Sequence, residues 1–466
     1  MGGRSLGLAA LASLVISATA VAAPPNDEHW SYQWGPRQID APQAWPTSTG
    51  AGQRIAIVDS GVDLGHPDLR NKIVDGATFV GCPRDRNGCG NGDWESGPGP
   101  GDGHGTHVAG SAAASTDNLE GVAGVAPRAR LLAVKVLDEE GGSFQEIAAG
   151  VRWSVDHGAD VVNLSLGALP GVQAFELTGL IRDLRDAIRY ARRNGAVVVA
   201  AAGNDYGSIC GSPSFNRGAL CVVATDRQEL KASYSNFAVN EGLDVVAAPG
   251  GAGFLSCTED IISTWPVGAP AEFCEQNEGT PNYNIAGTSM ATPHVAGGAA
   301  LLTAQGRSDE QTINVLERTA RTPPADTRGT FTPVYGFGII DLNRAVASGD
   351  PPGGGGGGPG GGGGGPGGGG GGGPGGGGGD ANCDDPTIEG TAGSDSIQGT
   401  PGRDVIAARA GKDEVRGLGG ADRICGNDGD DTLFGGDGDD TLFGGPGRDE
   451  LHGGDGEDFI DGQTVR

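Results

Sequence analysis

The sequence predicts an α/β domain built on a doubly wound parallel sheet, followed by a tether and a separate array of short strands. Three observations carry this. Short runs rich in Val and Ala, without polar alternation, recur between residues 54 and 226, as strands covered on both faces require. Amphipathic helical patterns lie between them. Residues 353–379 are only Gly and Pro, and residues 390–461 then repeat every nine.

The elements follow in order. Residues 1–22 have the form of a secretory signal: Arg4, the apolar stretch LGLAALASLVISA, and the small residues Ala20 and Ala22. The stretch is too short to span a bilayer. The α/β domain is expected over 24–348. Its strands are predicted at RIAIVDSG (54–61), ARLLAVKVL (129–137), ADVVNLSLG (159–167), AVVVAAAGN (196–204) and ALCVVATD (219–226). Helices are predicted at QEIAAGVRWSVDHG (145–158) and LIRDLRDAIRYARRNG (180–195). The second puts Leu180, Ile181, Leu184, Ala187, Ile188 and Ala191 on one face and stops at Gly195. A third begins in GTSMATPHVAGG (287–298) and has an unusually small face. Residues 349–381 read as the linker. A Gly-rich coil of this length has an r.m.s. span of roughly 30 Å, and Gly is not at every third position, which excludes collagen. Residues 382–466 form the second unit.

The net charge of −28 argues against a nucleic-acid partner and for solubility and divalent cations. Eight cysteines behind an export signal predict disulfides. Eight allow 105 pairings; the simplest joins sequence neighbours, 82–89, 210–221, 257–274 and 383–425.

All eight nonapeptides have Gly at the fourth place, Asp at the sixth and an aliphatic at the eighth. The glycines let the backbone turn with carbonyls outward, the Asp supplies a hard anionic oxygen, and the residues after it form a short strand. Carboxylate with carbonyl oxygens suits calcium. Residues 380–466 hold 21 acidic against 7 basic side chains, so compaction is expected to need a cation. The pattern resembles the RTX nonapeptide repeat, a parallel β-roll that binds calcium between turns. The resemblance implies Asp395, Asp404, Asp413, Asp422, Asp431, Asp440, Asp449 and Asp458 as ligands. Early repeats lack the first Gly pair, which predicts weaker sites there. Only GQTVR follows the last repeat, so no polar cap is expected.

Three stretches carry the chemistry: IAIVDSGVD with Asp59, GHGTHVAG with His104 and His107, and GTSMATPHVAG with Ser289. In this order and with these flanks, the chain resembles the subtilisin family of serine peptidases, and within it the thermitase-like members, over roughly residues 26–347. The resemblance implies Ser289 as nucleophile, His104 as the base that takes its proton and returns it to the leaving amine, and Asp59 as the group that holds the imidazole. His107 is the alternative base on the same helix. Asn204, after Gly203, supplies the neutral donor to the oxyanion. Ser165, Leu166 and Gly167 are expected to pair with an extended substrate, and Ala201, Ala202 and Gly203 to wall the primary pocket. No acidic residue falls in these segments, which predicts an apolar or broad preference. The stretch ALPGVQAFELTG after Gly167 lengthens this region.

The segment NDEHWSYQWGPRQIDAPQAW resembles the mature start of thermitase-like enzymes. It implies a calcium site from Asp27, Asp68, Asn118 and Glu120 side chains with the Ser115 and Val122 carbonyls. Family members usually carry a folding propeptide between signal and mature domain, whereas here the mature-like start follows the signal almost at once. The expectation is a secreted, calcium-dependent serine endopeptidase. The rival is an extracellular calcium-binding or adhesion protein with a vestigial peptidase domain, against which the intact Asp59, His104, Asn204 and Ser289 set argues.

Overall fold

The computed structural model describes residues 24–348 and 383–465, apart from 97–102, 168–181, 239–242, 254–256, 270–281 and scattered single or paired positions. The expected signal, the Gly/Pro linker, ALPGVQAFELTG and Cys274 lie outside the described residues. The chain divides into two compact units, one on each side of the Gly-rich stretch.

The first unit opens with two short helices, α1 (Gly35–Gln38) and α2 (Ala41–Ala44). Then come β1 (Arg54–Asp59), β2 (Ile73–Thr78), α3 (His104–Ala113), β3 (Arg130–Lys135), α4 (Phe144–Asp156), β4 (Val161–Leu164), α5 (Arg182–Arg193), β5 (Val197–Ala201), β6 (Ala219–Thr225) and β7 (Val245–Pro249). A hairpin of β8 (Ile261–Thr264) and β9 (Asn282–Ile285) precedes α6 (Thr288–Thr303), α7 (Asp309–Thr319), the small pair β10 (Arg321–Thr322) and β11 (Thr327–Arg328), and α8 (Leu342–Ala347). The main sheet runs β2-β3-β1-β4-β5-β6-β7 with every pair parallel, so chain order reverses beside β1. In such sheets the ligand crevice lies at the carboxyl ends of the strands, at that reversal.

Strand pleating explains why the apolar runs do not alternate. Ile55 and Ile57 face one core with α3, α6, α7 and α8, while Ala56 and Val58 face a second core with α4 and α5. Val197 and Val199 against Val198 and Ala200 divide the same way. α4 starts at a capping box in which Ser143 and Glu146 satisfy each other's backbone amides. α5 buries Leu184, Ala187, Ile188 and Ala191 as its periodicity predicts.

The second unit is a parallel roll of two sheets. Its strands are β12 (Ile388–Glu389), β13 (Ser396–Gln398), β14 (Val405–Ala407), β15 (Glu414–Gly419), β16 (Arg423–Cys425), β17 (Thr432–Asp437), β18 (Thr441–Phe443), β19 (Glu450–Asp455), β20 (Asp458–Ile460) and β21 (Gln463–Val465). Odd strands β13-β15-β17-β19 form one sheet, and even strands with β21 form the other. Partners such as Ile397 with Val415 and Leu433 with Leu451 are two nonapeptides apart, so one turn of the roll consumes two repeats. The eighth-place Ile406, Val415, Ile424, Leu433 and Leu442 are buried between the sheets. Beyond the last repeat, β21 pairs antiparallel with β20 and adds a last strand to that sheet. The disulfides 82–89, 210–221 and 383–425 form as nearest neighbours, and Cys257 is also disulfide-bonded.

Candidate active site

Asp59 is the last residue of β1 and is fully buried. Its Oδ1 lies 2.8 Å from Nδ1 of His104, the first residue of α3, and accepts the Ser60 amide at 2.8 Å. The glycine after His104 is obligatory: a Cβ on Gly105 would sit 2.3 Å from the Gly61 carbonyl. That close approach lets the start of α3 touch the end of β1. His107, one turn on, is buried with Nε2 against the Ile261 and Tyr283 carbonyls at 2.9 and 3.1 Å. Burial pushes its pKa down to about 3, which favours the neutral ring, and the two carbonyl contacts tie it to the β8–β9 hairpin.

Ser289 lies in the first turn of α6, after Gly287. The small face of α6 is a packing requirement. A Cβ at Gly297 would meet Val125 Cβ at 2.6 Å and the Ala112 carbonyl at the end of α3 at 3.0 Å, and one at Gly298 would meet Leu342 of α8 at 2.6 Å. α3 and α6 therefore pack closely side by side.

Two strand ends hold the start of α6. Asn204 Oδ1, beyond β5, accepts from both the amide and the hydroxyl of Thr288 at 2.9 Å. An N–H must face an oxygen, so Asn204 is oriented with Nδ2 free to donate beside Gly287, whose Cβ position is 3.4 Å away. Thr288 also accepts the Gly203 amide at 3.2 Å. Beyond β4, Ser165 Oγ donates to the Ser289 carbonyl at 2.8 Å and itself accepts from Asn163 Nδ2 at 2.9 Å. That carbonyl would ordinarily bond the amide four residues on, but residue 293 is proline and has none. The serine hydroxyl takes the place of the missing helix bond.

The expected substrate segments lie at the same carboxyl edge. The Ser165 and Leu166 side chains are buried and Gly167 is exposed, which leaves backbone as the available surface. Ala201 and Ala202 are buried; the Ala202 carbonyl is taken by Gly211 and Asn236, and Gly203 turns with φ 104°.

The expected calcium residues of this unit are brought together by the loop 115–122. Asp68 is buried, accepting from Asn118 Nδ2 at 2.8 Å and from the Val122 amide at 3.0 Å, while its carbonyl takes the Ser115 amide and hydroxyl. Asn118 Oδ1 accepts the Glu120 amide. Asp27 accepts the Asp117 amide through one oxygen, and its Oδ1 is buried without a partner. Burial lifts the Asp68 pKa to about 7, and the charges of Asp27 and Glu120 add to the rise. Clustered carboxylates around an orphaned oxygen fit a hard cation, and each Asp68 oxygen keeps a lone pair for one. Among the described residues no cluster of three acid, histidine or cysteine side chains stands ready as a cage, so backbone carbonyls would have to complete the shell.

In the roll, the sixth-place aspartates stack. The amides of Asp395, Asp404, Asp413, Asp422, Asp431 and Asp440 donate to Oδ1 of the Asp one turn on, ending at Asp449 and Asp458. The Oδ2 atoms of Asp413, Asp422 and Asp431 are buried without a partner. Burial raises the Asp422 pKa to about 7, with Asp440 and Asp404 adding to it. For Asp422 and Asp431 the first-place glycine leaves the space the oxygen faces: a Cβ at Gly417 would lie 2.3 Å from Asp422 Oδ2 and 2.5 Å from the Gly435 carbonyl, whereas the Asp413 repeat has Ala408 there. This donor set suits calcium.

Sequence reasoning missed Thr288, the Ser165 hydroxyl and Ser60, whose Oγ accepts the Gly105 amide. A proline four residues after the serine was the one available signal, since it orphans the carbonyl that Ser165 takes.

Residues 50–338 match the subtilase family, and residues 389–424 and 426–460 match the RTX calcium-binding nonapeptide repeat. Thermitase from Thermoactinomyces vulgaris is 42% identical over 298 residues, 64% of this chain and 91% of that protein. A thermophilic serine proteinase from Bacillus sp. (strain AK1) is 39% identical over 325 residues, 69% of each. Among solved structures, a protease from Pseudoalteromonas arctica PAMC 21717 is 32% identical with a TM-score of 0.56, covering 70% of this chain and 99% of that one. With the family match spanning more than half its length, the chain belongs to the subtilase family and is a subtilisin-like serine protease carrying RTX calcium-binding repeats.

Proposed function

We propose that the protein is a secreted, calcium-dependent endopeptidase that works through Ser289, His104, Asp59 and Asn204. The observation that carries this is the 2.8 Å bond from His104 to buried Asp59, at the sheet edge where α6 begins. Ser289 Oγ attacks the scissile carbonyl as its proton passes to His104 Nε2. Asp59, bonded to Nδ1, fixes the tautomer and stabilises the imidazolium. Asn204 Nδ2 donates to the oxyanion. The proton then goes to the leaving amine, and water, deprotonated by His104, hydrolyses the acyl-enzyme. Substrate backbone pairs along 165–167, with 201–203 forming the other wall and side-chain preference apolar or broad.

Two calcium-dependent parts belong to this reading: the cluster of Asp27, Asp68, Ser115, Asn118, Glu120 and Val122, and the sixth-place aspartates of the roll. Bound calcium would neutralise both acidic sets. The signal-like residues 1–22 and the disulfides support export, and no described helix is long and apolar enough to cross a membrane. The boundaries we take are 24–348, a linker over 349–381 and the roll from 382.

Casein hydrolysis in millimolar calcium by the chain without its first 22 residues, beside its Ser289→Ala variant, tests the mechanism. Cleavage by the parent alone is expected; equal cleavage by both would overturn the assignment of Ser289. Repeating the assay with chelator tests calcium dependence, and full activity at zero free calcium would refute it.

A further inference from the structure

We propose that the first two repeats, residues 390–407, are closed by the protein's own threonines and form a calcium-independent end of the roll, while the later repeats wait for the cation. This rests on the reading above that the sixth-place aspartates bind calcium.

The eight repeats share the sixth-place Asp but use it in two ways. In the first repeat, Asp395 Oδ2 accepts the Thr391 amide at 2.6 Å and the Thr391 hydroxyl at 2.9 Å. In the second, Asp404 Oδ2 accepts the Thr400 amide at 2.6 Å and its hydroxyl at 3.0 Å. Each threonine hydroxyl also accepts the amide of the fourth-place glycine, Gly393 or Gly402, at 3.2 Å. A cation at these Oδ2 atoms would have to displace both bonds.

From the third repeat on, the second-place residue is in the left-handed region: Arg409, Leu418 and Asn427 at φ 78°, 82° and 67°, then Gly436, Gly445 and Gly454. A side chain in that region is strained, and the turn it forms leaves Oδ2 of Asp413, Asp422 and Asp431 buried and unpartnered. The first two turns satisfy themselves; in the third to fifth, no donor among the described residues meets the buried Oδ2.

Charge divides in the same sense. Residues 390–407 hold two acidic and one basic side chain, whereas 408–461 hold fifteen acidic and five basic. Arg409 adds an ion pair, Nε to Glu389 Oε1 at 2.8 Å. The Cys383–Cys425 disulfide also ties this end of the roll covalently. Without calcium, repulsion therefore opposes the later repeats more than the first ones. Because each turn of a solenoid contacts only its neighbours, the closed end would template register, and calcium would extend the fold from it.

The test uses the full chain in a Ser289→Ala background, to prevent self-cleavage. Bound calcium is counted by equilibrium dialysis, and amide exchange is followed by mass spectrometry in chelator and in calcium. In chelator, peptides from 396–407 are expected to exchange at least roughly tenfold more slowly than those from 432–455. In calcium, both should be protected. Asp395→Asn with Asp404→Asn should leave the calcium count unchanged, and Asp422→Asn with Asp431→Asn should lower it. Loss of calcium in the first pair, or uniform exchange along the roll in chelator, overturns the closed end. An unchanged count in both pairs, with no calcium-induced protection, overturns instead the calcium reading on which it rests.

Discussion

Gly297 and Gly298 are neighbours in α6, yet alanine should affect them differently. In an unhindered helix either change would gain about 1 kcal/mol from helix propensity. At Gly297 the new Cβ falls 2.6 Å from Val125 Cβ and 3.0 Å from the Ala112 carbonyl. Val125 is fully buried and β-branched, and the carbonyl belongs to α3, so neither can swing aside. Overpacking of this kind costs about 1–3 kcal/mol, and with two rigid contacts at once the upper half of that range is expected, a net loss of ~1–2 kcal/mol after the propensity gain. At Gly298 the tight contact is Leu342 Cδ2, the far end of a rotatable side chain, at 2.6 Å. A small rotamer shift should absorb it, leaving Gly298→Ala within ~1 kcal/mol of the parent. Because Gly297 separates α6 from α3, its variant should also move Ser289 relative to His104 and lower kcat more than it raises KM. Inactivation half-life at elevated temperature in calcium reads stability where unfolding is irreversible, and peptide hydrolysis reads the site. A Gly297→Ala protein as durable and active as the parent, or a Gly298→Ala protein equally damaged, would refute the close-packing account of the small face.

Asn204→Ala should lower kcat by about 10²–10³ with little change in KM; a change confined to KM would mean that Nδ2 contacts substrate and not the oxyanion. Ser165→Ala strands the Ser289 carbonyl and should cost about 1–3 kcal/mol together with turnover, and an unaffected thermal midpoint would show that another group satisfies it. Burial pushes the pKa of His107 down to about 3 and that of His294 to about 4, against about 6.5 unfolded. Below pH 6.5 the unfolded chain binds protons that the folded one refuses. Stability should thus fall as pH falls from 6.5 toward 4, by up to ~1.4 kcal/mol per unit for each histidine; urea unfolding of Ser289→Ala between pH 8 and 4.5 checks this, and a flat profile would contradict it. In the roll, Gly435→Ala puts a Cβ 2.2 Å from Asp440 Oδ2 and 2.4 Å from the Gly453 carbonyl. It should weaken calcium-induced folding roughly tenfold with short-peptide hydrolysis unchanged, and an unaltered calcium titration would speak against the cradle.

The central strands were legible because doubly covered strands write themselves as unbroken apolar runs. β2 was not: IVDGAT carries Asp75 and Gly76 on a half-exposed edge strand. β7, VVAAP, is five residues ending in proline and gives little signal alone. The order Asp59, His104, Ser289 was readable because each residue sits in a local turn that its glycine neighbours mark. Thr288 and the Ser165 hydroxyl were not, since their roles exist only where strand ends from elsewhere in the chain meet α6. The roll was readable from its period, but the period hides the split between repeats. All eight show the same Asp at the sixth place, and only the folded turn reveals whether its second oxygen is already taken.

Why such a site stays in place follows from where its anchors arise. Asp59 ends β1, Ser165 follows β4, and Asn204 follows β5, three adjacent strands in parallel register through Ile57, Asn163 and Val199. Asp59 and Ser165 each lie two residues past the paired Ile57 and Asn163, so their strands set them about 4.8 Å apart, and Asn204 lies three residues past the end of β5. α6 is then fixed at two points, Thr288 to the end of β5 and the Ser289 carbonyl to the end of β4, while α3 is fixed to the end of β1 through His104 and Gly105. The proposed donor Asn204 and proposed base His104 thus take their positions from hydrogen bonds that fold the protein, before any substrate arrives. Electrostatic stabilisation is effective when its dipoles need no reorganisation at the moment of reaction, and here the sheet has already supplied that order. The proline that breaks the α6 bonding pattern at residue 293 belongs to the same design. It frees the one carbonyl through which a neighbouring strand can hold the serine.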